Sequence, residues 1–246
     1  MQKVIILGAC SGIAQCLQRE LAASGKEMLL VARSPERLSA LKRDLLVRGA
    51  SEVLTCTVDL EDISQHSRLL EFAQEKFSGF DTALLAYGSM LDQEECQESA
   101  ALSMQHLNTD FVSAAALLTL FAEHFESKKT GCVAAITSVA GDRGRRSNYV
   151  YGAAKGALSL FLQGLRSRLH PAGVRVITIK PGPVDTVMTA HLPRNKPFAD
   201  PEQIAKDIYR ALERRSPDVL YTPYYWRYIM GAVRSIPEPI FKRLNF

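Results

Sequence analysis

The sequence predicts an α/β protein, a single doubly wound parallel sheet of about seven strands with helices on both faces. Three observations predict it. Seven short apolar runs rich in Val, Ile and Leu recur along 246 residues, and runs unbroken by polar alternation suit strands buried on both faces. Longer segments with helical spacing lie between them, so strands and helices alternate. A glycine-containing turn, GACSGIA, joins the first run to the first helical segment.

Taken in order, the strands are expected at 3–8 (KVIILG), 27–32 (EMLLVA), 52–58 (EVLTCTV), 81–88 (DTALLAYG), 131–138 (GCVAAITS), 174–182 (VRVITIKPG) and 218–223 (DVLYTP). The helix SPERLSALKRDLLVRG has Ser34 as its N-cap, Pro35 at the first helical position and Gly49 at its end. Its Leu38, Leu41, Leu45 and Leu46 share one face. No repeat, linker or boundary divides the chain, so 1–246 reads as one domain, with 222–246 a basic aromatic extension of it.

Composition narrows the classes. At 47% hydrophobic and 23% charged, the chain fits one large domain or two small ones. A net charge of +4, with both signs scattered along the chain, makes no demand for nucleic acid. Five widely spaced cysteines without a CxxC read as buried thiols in a reducing compartment. The N-terminal apolar stretch is too short for a signal peptide, and no run reaches the ~18 residues of a membrane span, so a cytoplasmic protein is expected. No metal site is expected.

The first turn points to a nucleotide. Gly8, Gly12 and Ala14 sit where close backbone approach is needed, and amides at a helix N-terminus would meet a pyrophosphate. The spacing is Gly-x3-Gly-x-Ala, not GxGxxG, and glycines at such a turn are often only structural. Its place after the first strand of a βαβ series favours the nucleotide. An NAD site usually carries an acid about 20 residues on. Here Ala32 and Arg33 fill that place, Arg33 being 21 residues after Gly12 (33 − 12). An arginine there could hold a 2′-phosphate or be merely solvated; the first reading favours NADP(H), with NAD(H) the lesser alternative.

In NYVYGAAKGA, Tyr151 and Lys155 are four apart and share a helical face, whereas Tyr149 and Lys155 are six apart and do not. A free tyrosine has a pKa of about 10; a neighbouring ammonium stabilises the phenolate and makes the phenol a better acid. Small residues (Gly152, Ala153, Ala154, Gly156, Ala157) would admit a cofactor or another helix. A Tyr–Lys pair on a helix surface is the bland alternative. Ser138, thirteen residues before Tyr151 (151 − 138), ends a strand and could donate to the same substrate oxygen.

With Asn108, the glycine turn, VDL at 58–60, Ser138, Tyr151 with Lys155, and PGPVDT at 181–186, the chain resembles the short-chain dehydrogenase/reductase family over nearly all its length. The resemblance implies a Rossmann-type fold and roles for these residues. Tyr151 would be the general acid, Lys155 would lower its pKa and bind the nicotinamide ribose, Ser138 would polarise the carbonyl, and Asn108 would hold a relay water. Gly8, Ser11, Gly12, Ile13, Arg33 and Gly88 would line the dinucleotide. Asp59 and Leu60 would flank the adenine, and Pro181, Gly182, Val184 and Thr186 would hold the carboxamide end. A carbonyl or alcohol substrate is implied, as is a homodimer or homotetramer built through two long helices at roughly 99–126 and 149–170. The chain departs from the pattern at Leu7, Ala14 and LAYG, where Ala86 stands for a stabilising asparagine.

Two segments bear on the substrate. Arg143, Arg145 and Arg146 lie between the serine and the tyrosine, and could hold a phosphate, form a solvated loop or contact another subunit. The last 23 residues hold six of the nineteen aromatics and a net charge of +3. Such a stretch could lie on a membrane surface, close a substrate pocket or join subunits. With LAYG, these features resemble the reductases of polyprenyl-phosphate-linked 2-keto-pentofuranose, which follow a partner flavin oxidase. The alternatives are a reductase of another carbonyl, such as a β-ketoacyl thioester or small ketone, and a non-enzymatic dinucleotide sensor.

Overall fold

The computed structural model describes residues 1–77, 79–190, 198–214 and 217–244. Seven strands form one sheet: β1 (Lys3–Leu7), β2 (Glu27–Ala32), β3 (Glu52–Thr57), β4 (Thr82–Leu85), β5 (Cys132–Ile136), β6 (Arg175–Pro181) and β7 (Val219–Thr222). Their order is β3-β2-β1-β4-β5-β6-β7, and all neighbours run parallel. All seven expected runs are strands; β2 has the expected bounds and the other six are shorter by one to four residues. The order reverses between β1 and β4, which opens a crevice beyond the strands' carboxyl ends.

The apolar runs work because both faces are covered. On β1, Ile5 and Leu7 enter one core with Phe77, Phe121 and Leu162, while Val4 and Ile6 enter the other with Leu17, Leu38 and Ile208. The first core is roofed by α3 (His66–Lys76), α6 (Ser113–Lys128) and α7 (Tyr149–Leu169). The second is roofed by α1 (Gly12–Ala23), α2 (Pro35–Val47) and α8 (Pro201–Glu213). Ser34 caps α2 by accepting from Arg37 N at 3.2 Å. Leu38 and Leu45 of α2 are buried, but Leu46, expected on the same face, is 43% exposed because the core stripe is narrow at this edge of the sheet.

The helix expected at 99–126 is broken. After α4 (Gln93–Glu98), it runs as α5 (Ala100–Leu107), one π-helical turn (Asn108–Val112) and α6. The cysteines also differ from expectation: all five are free, but only Cys96 and Cys132 are buried, and Cys10, Cys16 and Cys56 are half-buried. The chain ends in α9 (Trp226–Ser235) and α10 (Glu238–Phe241), folded against the same domain.

Candidate active site

The crevice at the switch point is a cavity of about 660 Å3. Its first wall is the β1–α1 turn, where Gly8, Ser11, Gly12 and Ile13 line the space. Gly8 has φ +87°, and a Cβ there would fall 2.6 Å from Tyr87 Cβ, so glycine is required twice over. The first turn of α1 has no side-chain cap, and the Ser11 Oγ is buried without a hydrogen-bond partner. Uncapped amides at a helix start, beside an orphaned hydroxyl, fit the pyrophosphate of a dinucleotide.

One end of the cavity, where the resemblance implies the adenosine, is lined by Arg33, Asp59 and Leu60, which follow β2 and β3. The Arg33 side chain is 71% exposed and lies 3.6 Å from the Glu61 carboxylate. Arg37, which the sequence reading missed, lines the same space and donates to the Cys10 carbonyl at 3.0 Å. It lies four residues beyond Arg33 in the first turn of α2, a spacing that could have flagged it. At the other end, Pro181 closes β6 and Gly182, Val184 and Thr186 follow it. A Cβ on Gly182 would fall 1.9 Å from Trp226 Nε1, so the tail's indole lies directly on this backbone.

Ser138, Tyr151, Lys155 and Gly88 line the middle. The Ser138 turn lies against the start of α7: a Cβ on Gly152 would approach the Ala140 carbonyl to 2.9 Å, and one on Gly141 would fall 2.5 Å from Gly156 N. The small residues of α7 therefore admit this turn, where the sequence reading expected a cofactor or another helix. Asp142 fastens the turn to the sheet through an ion pair with Lys180 and a bond from the Tyr221 hydroxyl at 2.8 Å. Burial, followed by the bond to Asp142, pushes the Tyr221 phenol up to about 12.

Ser138 and Tyr151 line the same cavity, and the Lys155 ammonium lies 5.7 Å from the Tyr151 ring centre. Tyr149 points away and is 44% exposed. Burial raises the Tyr151 pKa above the ordinary value; Lys155 works against that rise, Asp110 adds to it, and Ser138 and Arg145 oppose it. Lysine thus acts in the expected direction but does not by itself leave the phenol more acidic than usual. Asn108, expected to hold a relay water, sits at the start of the π turn and does not line the cavity, whereas its neighbour Thr109 does.

The three arginines separate. Arg143 is turned into the tail: it donates to the carbonyls of Val233 (2.7 Å) and Ile236 (2.5 Å), pairs with Glu238 (2.9 Å) and stacks on Phe241. Arg146 is exposed. Arg145 is half-buried near Tyr151, its Nε is buried without a hydrogen-bond partner, and desolvation lowers its pKa. Among the described residues no metal-binding group is found, and no helix is long and apolar enough to cross a membrane.

Comparison with known proteins agrees with this geometry. The family model described as short chain dehydrogenase matches residues 2–197. The chain is 34% identical to an uncharacterized oxidoreductase of Mycobacterium tuberculosis over 98% of this chain and 96% of the relative. It is 31% identical to one of Streptomyces coelicolor over 99% and 96%. Its fold is shared with a short chain dehydrogenase from Burkholderia cenocepacia solved in complex with NADP (TM-score 0.83, 21% identity, 99% of both chains). It is likewise shared with a short-chain dehydrogenase from Sphingobium yanoikuyae in complex with NADPH (TM-score 0.83, 23% identity, 97% of both). The chain belongs to the short-chain dehydrogenase/reductase family and is an NAD(P)-dependent oxidoreductase.

Proposed function

We propose that the protein uses NADPH to reduce a ketone to a secondary alcohol, on a substrate that carries an anionic group such as the phosphate of a lipid-linked keto-sugar. The observation that carries the reaction is the convergence of Ser138, Tyr151 and Lys155 on one wall of the dinucleotide-sized cleft. When bound, the nicotinamide supplies the hydride. Ser138 donates to the carbonyl oxygen and holds it beside the Tyr151 hydroxyl. Tyr151 transfers its proton to that oxygen as negative charge develops there, and Lys155 steadies the phenolate left behind. Arg33 and Arg37 hold the 2′-phosphate, which gives the preference for NADPH over NADH.

Arg145 supports the anionic substrate. A guanidinium with a buried, unpartnered Nε beside the reacting hydroxyl is costly unless a ligand completes it. The exposed aromatic face of the tail, with Tyr224, Tyr228 and Ile229 beside Arg227, supports contact with a lipid surface near the cleft. The exposed Met104 on α5, Val112 on the π turn and Leu160 on α7 support a homo-oligomer.

The test is NADPH consumption with a phosphorylated keto-sugar and with its dephosphorylated form. We expect preference for the phosphorylated form, lost in Arg145→Ala. If that preference is absent, or survives Arg145→Ala, the anionic substrate is wrong; activity on a small diketone still separates a reductase from a sensor.

A further inference from the structure

Beneath Gly88, Lys155 is joined in a buried ionic group by Asp110, a residue outside the set the family resemblance supplies. Lys155 Nζ is 2.6 Å from Asp110 Oδ1, with side-chain exposures of 5% and 0%. The other carboxylate oxygen, Oδ2, accepts from Ser89 N at 3.0 Å and from Ser89 Oγ at 2.8 Å. The single Ser89 hydroxyl proton is thereby committed, so the 3.1 Å contact with His106 Nδ1 has the imidazole donating. His106 Nε2 lies 3.8 Å from the same Oδ2, and its ring packs 5.9 Å from that of Tyr151.

Two features of the chain exist around this pair. The π turn at 108–112 inserts an extra residue into the helix at Asp110, a distortion common at working sites. Gly88 leaves room: a Cβ there would fall 2.5 Å from Asp110 Oδ1 and 2.7 Å from Lys155 Nζ. Burial disfavours the lysine's charge, while Asp110 and Tyr151 more than offset it and raise its pKa.

We propose that Asp110 is a positioning residue for the reaction: its carboxylate fixes the Lys155 ammonium beneath Tyr151 and limits how much of that positive charge reaches the phenol. The inference rests on the reading of Tyr151 as the proton donor. The charged and titratable groups facing Tyr151 are Lys155 on its own helix, Asp110 on the π turn, His106 on α5 and Arg145 in the preceding loop. Tyr87 faces Asp110 from the end of β4. Among these, Asp110 is the one whose charge disfavours the phenolate.

The test is the pH profile of kcat for reduction in Asp110→Asn. Removing the negative charge exposes the phenol to the full effect of Lys155, so Tyr151 ionises at lower pH. The alkaline limb, where the proton donor is lost, is expected to move down by about one pH unit. A merely structural role would lower the amplitude and leave the limb in place, and that result would overturn the proposal. Tyr151→Phe, run alongside, separates the two ideas: if it stays active, the reading of Tyr151 fails, and if it is inactive while the Asp110→Asn limb is unmoved, only this proposal fails.

A second variant covers the case in which Asp110→Asn does not fold. Lys155→Met strands the carboxylate, raising its pKa above the unfolded value. Its deficit in melting temperature relative to the parent should shrink as pH falls from about 8 to about 5 and the carboxyl takes up a proton. Parallel melting curves over that range would show that no such pair exists.

Discussion

Arg143→Ala would test whether the C-terminal tail is locked to the catalytic wall. Arg143 lies at the end of the Ser138 turn, and its guanidinium holds the last carbonyls of α9 at Val233 and Ile236. The Val233 carbonyl has only a long 3.4 Å bond from the Ile236 amide at the helix end, and a cation there also meets the negative end of the helix. A charge-assisted hydrogen bond of this kind contributes about 1.5–3 kcal/mol. The pair with Glu238 adds little, because that carboxylate is 74% exposed, and the stack on Phe241 contributes about 0.5–1 kcal/mol. We expect a loss of about 2–3 kcal/mol, or a fall in Tm of about 5–10 °C for a chain of this size. Trp226 lies on Gly182, so kcat/KM should fall with it. Differential scanning fluorimetry measures the first effect, and tryptic cleavage after Arg227 and Arg234 reports tail release. A Tm within about 1 °C of the parent, with unchanged cleavage, would refute the clamp.

Arg33→Ala and Arg37→Ala should each raise the KM for NADPH about tenfold while leaving that for NADH unchanged. The effect sits at the lower end of a charged contact because Arg33 is exposed and already faces Glu61. Equal kinetics with the two cofactors in the parent would refute the preference. Tyr149→Phe should remain active, since that hydroxyl is on the outer surface. Stability should fall as pH drops below about 6.5. His66, His106 and His124 have pKa values lowered by burial, so the unfolded chain binds more protons in that window. Calorimetry at pH 5.0 and 7.5, with no loss at the lower value, would contradict this.

The fold was legible because the strands are unbroken apolar runs, and a run covered on both faces leaves that mark in the chain. Local signals also held where the physics is local: Ser34 and Pro35 start α2, and the four-residue spacing separates Tyr151 from Tyr149. What was not legible depends on partners far along the chain. Nothing near Arg143 announces carbonyls ninety residues on, so the sequence leaves its charge open between a phosphate, a solvated loop and a subunit contact, and the clamp on the tail is none of these. Asp110 sits inside a run of helical periodicity, and the residue it pairs with lies 45 positions later (155 − 110). The π turn that aims it leaves no trace in hydrophobic spacing. Leu46 was assigned to the core because periodicity gives a face but not how wide the covering surface is.

The most direct test of the account is Tyr151→Phe measured for both cofactor binding and turnover. The phenyl ring keeps the wall of the cleft and removes only the transferable proton. The account predicts NADPH binding within about twofold of the parent, while the rate of ketone reduction falls by about a hundredfold or more, as expected for loss of a general acid. Substantial turnover in Tyr151→Phe would contradict it.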